Sequence, residues 1–247
     1  MQLAPSLHRL GSGLVNSYLV EEAGSVTVID AGLPGDWTAL RDELAAMGRS
    51  LDDVRAVLLT HGDTDHVGFA ARFSRERGMP VHVHDLDATR ARGEIRKPMS
   101  GWGPVRIRPL AGFLVDTARR GGLRIPPVTE LASLEVGPTL DLPGSPRVIH
   151  LPGHTPGSVA IHVPTVGALF VGDALTTRSV LTGATGPRLA PFTLAPAEAL
   201  ACLGRLEGIE AGWLLPGHGP AWTGGVPDAL RRIREQAVAD GVPSGAR

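Results

Sequence analysis

The sequence has a single cysteine, Cys202, among 247 residues. That excludes an intrachain disulfide framework and any metal site built from clustered thiolates. It has a single lysine, Lys97, and arginine supplies the rest of the positive charge; we read this as coding bias, and no mechanism follows from it. Neither charge sign dominates: 24 basic residues face 25 acidic ones, for a formal net charge of −1. So even a balance argues against a general nucleic-acid binder and against a polybasic membrane protein. No apolar stretch reaches the roughly 18 residues needed to span a bilayer. The first 20 residues lack the basic start, sustained apolar run and small-residue cleavage site of a secretory signal. The expectation is a soluble, cytoplasmic protein with no nucleic-acid and no membrane partner.

What is present is more specific. Hydrophobic residues make up 43% of the chain, enough for one large core or two small ones. The 32 glycines and 21 prolines are scattered among apolar stretches, which implies many turns and not disorder. Residues 14–20 and 26–29 read as a hairpin around a turn at 21–24. Asp36 is expected to cap a helix whose apolar face is Trp37, Leu40, Leu44 and Met47, closed by Gly48. A short apolar strand at 54–59 is followed by a polar loop and a helix over 67–77, and 81–84 reads as another strand. In the second half, strands are expected at 147–151, 158–163, 168–171 and 209–215. Helices are expected at about 196–206 and 227–239, each opened by a proline. Strands and helices interleaved in both halves suggest a layered α/β protein with helices outside paired sheets. Residues 93–128 differ, being rich in glycine, proline and basic side chains. They read as an insertion or lid carrying a short helix near 109–119, or as a plain surface excursion.

The densest chemical signal is Thr60-His61-Gly62-Asp63-Thr64-Asp65-His66, which follows an apolar strand directly. In extended backbone, positions i and i+2 project to one side, so His61 and Asp63 are able to share a metal. Asp65 and His66 fall where the chain turns towards a helix and can face a second one. Taken alone, this segment also fits a polar loop with a helix cap. Three further segments weigh against that: Leu151-Pro152-Gly153-His154-Thr155-Pro156-Gly157-Ser158, Leu169-Phe170-Val171-Gly172-Asp173 and Leu214-Leu215-Pro216-Gly217-His218-Gly219. Each places one ligand-type side chain on a loop at the end of a strand, where a rigid sheet can hold it.

With these motifs, in this order, the sequence resembles the metallo-β-lactamase-fold hydrolases, the group that includes glyoxalase II and the lactone hydrolases. The resemblance runs from Val28-Ile29-Asp30-Ala31-Gly32 through His218. It implies an α/β fold, an αββα sandwich with a metal site at one edge between the sheets. It implies a single domain over 1–247, with the insertion at 93–128. It also implies that His61, Asp63 and His154 hold a first metal, that Asp65, His66 and His218 hold a second, and that Asp173 bridges them. The cofactors so implied are two divalent metal ions, zinc first, with iron or manganese as alternatives.

One position departs from the family's His-X-His-X-Asp-His pattern: Asp63 stands where the second histidine is usual. A carboxylate binds Zn²⁺ well, and as a harder ligand it favours iron or manganese more than imidazole does. It also resembles the flavodiiron branch of the superfamily, which has Glu there, although this chain has no room for an attached flavin domain. The activity implied is hydrolysis of an acyl ester, thioester or lactone by water that two cations make acidic, with Asp65 as the catalytic acid/base. The alternatives are an iron-binding redox protein and a metal-poor binding protein of the same fold. The partner is a small-molecule substrate, and a homodimer is compatible with the sequence. His82 and His84, two apart, read as an ordinary half-exposed strand. Asp30 is expected to fix backbone near the site, and His8, His150 and His162 to be structural. Cys202 is expected to be buried. Thr155 and Ser158 are open between backbone and substrate roles. Residues 93–128 and 178–195 are expected to border the substrate pocket.

Overall fold

The computed structural model describes residues 1–95 and 103–242. The first half builds a seven-stranded sheet in sequential order: β1 (Gln2–Ala4), β2 (Leu7–Gly11), β3 (Asn16–Glu22), β4 (Ser25–Ile29), β5 (Val54–Leu58), β6 (Val81–Val83) and β7 (Leu131–Ser133). Pairing is antiparallel from β1 to β4 and parallel from β4 to β7. The β3–β4 turn falls at Ala23 and Gly24, with φ of 49° and 81°, the two positive values that a two-residue hairpin turn requires. The second half builds a four-stranded sheet from β8 (Arg147–His150), β9 (Val159–Val163), β10 (Ala168–Gly172) and, after a ribbon formed by β11 (Thr176–Arg178) and β12 (Thr185–Arg188), β13 (Trp213–Pro216). Its order is β13-β10-β9-β8.

Alternation along the strands sorts side chains into three cores. Tyr18, Val20, Leu58, Ile161, Phe170 and Leu215 are buried together between the sheets. Their neighbours Leu19, Val57 and Leu59 face the other way, against Trp37, Leu40 and Leu44 of α1 (Asp36–Ala46) and Phe73 of α2 (Ala70–Arg77). On the opposite side, Ala160, Leu169, Val171 and Leu214 meet further helices. With α3 (Ala88–Ala91) and α4 (Ile107–Arg119) intervening in the chain, these are α5 (Pro196–Cys202) and α6 (Val226–Ala239), which contribute Cys202, Ala229, Leu230 and Ile233. Helix, sheet, sheet, helix is the expected αββα sandwich. Each fully buried Leu or Phe contributes about 1.5–3 kcal/mol to holding the layers together. No helix among the described residues is long and apolar enough to cross a membrane.

Four local expectations need correction. Asp36 is not the cap of α1. Gly35 occupies that position, and the Asp36 carboxylate accepts the Leu33 N–H at 2.8 Å while Arg120 of the 93–128 segment grips it. Helix α2 begins at Ala70, not at 67, because the N–H groups of Gly68 and Phe69 are taken by the carbonyls of Gly32 and Ala31. Strand β13 begins only at Trp213, because Ile209 closes the turn after α5 with an N–H bond to Leu206 O. Strand β6 ends at Val83, so His82 and His84 do not share a strand face; His84 stacks instead on His150, with ring centroids 4.5 Å apart. The helix expected near 109–119 is α4; part of the 93–128 segment, residues 96–102, lies outside the described residues.

Candidate metal centre

The site lies where the two sheets meet at their strand ends. Beyond β5, the Thr60 carbonyl accepts the Val159 N–H at the start of β9 (2.9 Å), and Asn16 N–H of β3 reaches Gly217 O (2.9 Å). Strands β10 and β13 run parallel with Gly172 opposite Pro216, which brings Asp173 beside the 217–219 loop. That loop is pinned by Asn16 Nδ2 donating to Pro216 O and Gly219 O, and by Tyr18 O–H donating to Pro216 O (2.7 Å). The segments that carried ligand-type residues in the sequence therefore converge on one edge.

The four histidines there share one arrangement. His61 Nδ1–H donates to Thr60 Oγ1 (3.1 Å), which donates on to Asp30 (2.8 Å). His66 Nδ1–H donates to Asp30 Oδ2 at 2.9 Å. His154 Nδ1–H donates to Thr193 Oγ1 at 3.2 Å, which donates on to Ala190 O at 2.7 Å. His218 Nδ1–H donates to Leu14 O. With every Nδ1 so tied, each Nε2 is turned inward, the tautomer and ring orientation that metal-binding imidazoles adopt. All four are buried.

The carboxylates complete the ring. Asp173 Oδ2 lies 3.0 Å from His218 Nε2 and 3.5 Å from His154 Nε2, and its Oδ1 lies 3.6 Å from His66 Nε2. Asp65 Oδ2 is 3.4 Å from His218 Nε2 and retains 22% of its side-chain exposure. Asp63 Oδ2 is 3.3 Å from His154 Nε2 and 3.7 Å from His61 Nε2. The donor atoms of His61, Asp63 and His154 all lie within 4.8 Å of one another, as do those of Asp65, His66 and His218, and those of His61, His66 and Asp173. All seven residues expected from the sequence are thus together, in the two groups expected, with Asp173 against members of both.

The electrostatics suit a cation. Burial, then the adjacent His66 ring, hold His61 far below the ordinary histidine value, leaving its Nε2 a neutral donor. Burial also depresses His66, but the Asp30 and Asp173 carboxylates more than reverse this and raise it to about 10. His218 is likewise raised, Asp173 outweighing burial. Burial pushes Asp173 up, and His218 with His66 overcome it and carry it well below the carboxylate range. Without a metal, protons on imidazoles balance the carboxylates; a divalent cation takes over that role and releases them. His61 Nε2, His66 Nε2 and Asp173 Oδ1 are buried and have no hydrogen-bond partner among the described residues. Three such atoms, two of imidazole and one of carboxylate, would be costly unless a ligand engages them. A Cβ at Gly217 would strike both Asp173 and His66, so the 217–219 loop can lie this close to both only with a residue that has no side chain. Unpartnered buried atoms in a set of imidazoles and carboxylates fit a divalent metal.

Two contributors escaped the sequence reading. Asp87, fully buried, accepts Gly62 N–H (2.7 Å) and, from the His154 loop, Thr155 O–H (2.7 Å) and Gly157 N–H (2.9 Å). It ties the loop bearing His61 and Asp63 to the loop bearing His154. Arg90, on α3, donates from Nη1 to Asp63 Oδ1 at 3.1 Å and is only 9% exposed. An acidic residue soon after a strand is the one faint signal for Asp87; nothing local marks Arg90. Asp30 fixes backbone as expected, accepting Thr60 N–H at 2.7 Å, and orients His66 besides. Thr155 and Ser158 bond to each other (2.7 Å), so both have backbone-organising roles. His8 pairs with Glu43 (2.7 Å), His150 with Pro156 O (2.8 Å), and Cys202 is buried with its thiol on Pro152 O. Both segments expected to border the site reach it: Phe113 of α4 packs its ring 6.0 Å from that of His218, edge to face, and Thr193 holds His154.

An αββα sandwich with such a donor cluster at its strand ends defines a metal-binding hydrolase class. The chain belongs to the metallo-beta-lactamase superfamily, whose family model matches residues 10–218. It is similar to YflN of Bacillus subtilis (strain 168), a probable metallo-hydrolase, with 26% identity over 244 residues, 90% of this chain and 87% of that one. It is similar over a shorter stretch to a hydroxyacylglutathione hydrolase of Anaeromyxobacter dehalogenans (strain 2CP-C): 31% over 159 residues, 64% of this chain and 45% of that protein. Among solved structures it resembles TTHA1623, crystallised in a di-iron-bound form, with a TM-score of 0.60 and 29% identity over 91% of this chain and 96% of that one.

Proposed function

We propose that this chain is a hydrolase of small acyl substrates, an ester, thioester or lactone, working with two divalent cations. The observation that carries the reading is the set of four imidazoles with Nδ1 tied and Nε2 turned into a ring of carboxylates. His61, Asp63 and His154 would hold one cation, and Asp65, His66 and His218 the other, with Asp173 shared. Zinc suits the imidazole majority; the carboxylates also suit iron or manganese, and similarity to a protein crystallised with two irons supports that latitude. When bound, such cations acidify water and polarise a carbonyl oxygen.

The chain's own groups do the rest. Asp65 is the most exposed of the ligand carboxylates, its Oδ2 directed towards His218. It accepts the proton of the attacking water at its other oxygen, Oδ1, as the carbon–oxygen bond forms. It returns that proton to the leaving alkoxide or thiolate as the acyl bond breaks. Asp173, gripped by three imidazoles, keeps the two donor groups at a fixed separation. The Phe113 ring beside His218 shields one side of the centre from bulk water. Similarity to a hydroxyacylglutathione hydrolase supports placing thioesters first among substrates.

The test is elemental analysis of protein purified without chelator, followed by a panel of ester, thioester, lactone and β-lactam substrates on the metal-loaded enzyme. Turnover of an acyl substrate that stops with chelator and returns with metal is expected. Oxygen consumption with no hydrolysis anywhere on the panel would overturn the reading in favour of an iron redox protein.

A further inference from the structure

Helix α4 has two faces with different fates. Its inner face is half-buried, with Phe113 against His218. Both ends are tied down. At the start, Arg106 N–H donates to Leu181 O (2.9 Å). At the end, Arg120 holds Asp36, the Arg120 carbonyl accepts Gly35 N–H (2.8 Å), and Ser12 O–H donates to Asp116 (2.8 Å). The outer face carries Ile107, Ala111, Leu114, Val115 and Ala118, all exposed. At about 3.6 residues per turn they fall in one stripe roughly 100° wide, the width that a globular helix normally turns to its core. Ile107 is 85% and Leu114 54% exposed, and Leu123, just past the helix, is 84% exposed. Single exposed apolar side chains are ordinary, whereas a continuous stripe along a fixed helix marks an interaction surface.

The charge beside the stripe has one sign. Residues 103–128 hold five arginines against one acidic residue, Asp116, and Asp116 is taken by Arg120 and Ser12. Arg106, Arg108, Arg119 and Arg124 are exposed, and among the described residues none of the four has a carboxylate partner. Helix α6 differs, since its Arg231, Arg232 and Arg234 all pair with acidic side chains. We propose that the outer face of α4 docks on an anionic lipid bilayer. The helix lies along the interface, its stripe in the boundary between headgroups and acyl chains and its arginines on the lipid anions. No described helix is long and apolar enough to cross a bilayer, so the contact is peripheral. The even charge balance of the whole chain does not oppose it, because the attraction fades within about 10 Å and the local charge decides. A second copy of the chain suits the surface less well. In an antiparallel two-fold contact Arg108 of each copy meets Arg119 of the other, with no carboxylate on this face to answer them. Docking on lipid would leave the metal centre behind Phe113, one helix away from the membrane.

Co-sedimentation of the full chain with vesicles tests this, and the result does not depend on the hydrolase reading. Vesicles of phosphatidylserine and phosphatidylcholine in equal parts are compared with vesicles of phosphatidylcholine alone. The parent should bind the anionic vesicles at low salt, bind the neutral ones far less, and release as salt is raised. Two double variants separate the contributions. Arg108→Gln with Arg119→Gln should lower partitioning by about 10–30-fold, the scale for two charges near an anionic surface. Ile107→Ser with Leu114→Ser keeps the charge and should lower it by about tenfold or more. All four positions are exposed, so the melting temperature and Zn²⁺ binding of both variants should match the parent. No binding of the parent to anionic vesicles at low salt overturns the proposal. Binding that survives either double variant also overturns it, because charge and stripe are both required. A dimer seen by analytical ultracentrifugation that Ile107→Ser with Leu114→Ser abolishes overturns it in favour of a second copy.

Discussion

Asp87→Ala probes the framework around the centre without touching any proposed ligand. The wild-type carboxylate is wholly buried and accepts from Gly62 N, Thr155 Oγ1 and Gly157 N at 2.7–2.9 Å. Alanine leaves two backbone N–H groups and one hydroxyl without that acceptor. Each buried donor so abandoned costs about 1–3 kcal/mol. Water entering the vacated space recovers part of this, so the expected loss is about 3–5 kcal/mol. For a chain of this size each kcal/mol corresponds to about 2–4 °C, so the melting temperature should fall by roughly 6–20 °C. The damage should also be directional. Asp87 joins the loop of His61 and Asp63 to the loop of His154, the two sources of one donor group, whereas His66 and His218 of the other group are held through Asp30 and Leu14. One of two metal equivalents should therefore loosen about 10–100-fold, as it does when supporting groups are removed, while the other is nearly unchanged. Asp87→Asn, which keeps one acceptor oxygen, should fall between. Calorimetry on the metal-free protein and zinc titration of the same preparation measure both effects. A melting temperature within about 2 °C of the parent, the range of neutral surface substitutions, together with unaltered zinc binding, would refute the reasoning.

Three further outcomes follow from the same geometry. Asp65→Asn should keep the fold and lose about 10²–10⁴-fold in turnover once metal content is matched; near-normal turnover in the metal-loaded variant removes Asp65 from the mechanism. Asp30→Asn should weaken zinc binding about 10–100-fold, because His66 loses the carboxylate that orients it and Thr60 loses one of its acceptors; unchanged affinity by competition titration would show that the Asp30–His66 bond does not matter to the site. Gly217→Ala drives a methyl group into Asp173 and His66, so metal stoichiometry measured after saturation should drop, and full stoichiometry would mean that displacing these two side chains does not disturb metal binding.

The candidate ligand positions were legible because each lies just past a strand whose alternation is strong. Leu58 and Leu59, Phe170 and Val171, and Leu214 and Leu215 send alternate side chains into different cores, and the polar residue just past them is left at the sheet edge. The layered α/β arrangement was legible for the same reason; the αββα sandwich and the division of the site residues into two groups came from the family resemblance. What failed was whatever depended on partners distant in the chain. Asp87 and Arg90 lie in a short turn-and-helix segment, and their targets are 25 to 70 residues away. No periodicity announces such a bond. The 67–77 segment has helical periodicity throughout, but its first residues give their N–H groups to the 31–32 loop. Strands β1, β7, β11 and β12 are three or four residues long, too short for alternation to show. Asp63 was legible as a departure from a pattern, while its contact with Arg90 was not.

The claim on which the rest depends is a centre built for two metals by His61, Asp63, Asp65, His66, His154, Asp173 and His218. Elemental analysis of the folded protein after saturation with Zn²⁺, Mn²⁺ or Fe²⁺ and removal of excess ion tests it most directly. Two ions per chain are expected for at least one of these metals. A stoichiometry that stays at or below one with all three would contradict it.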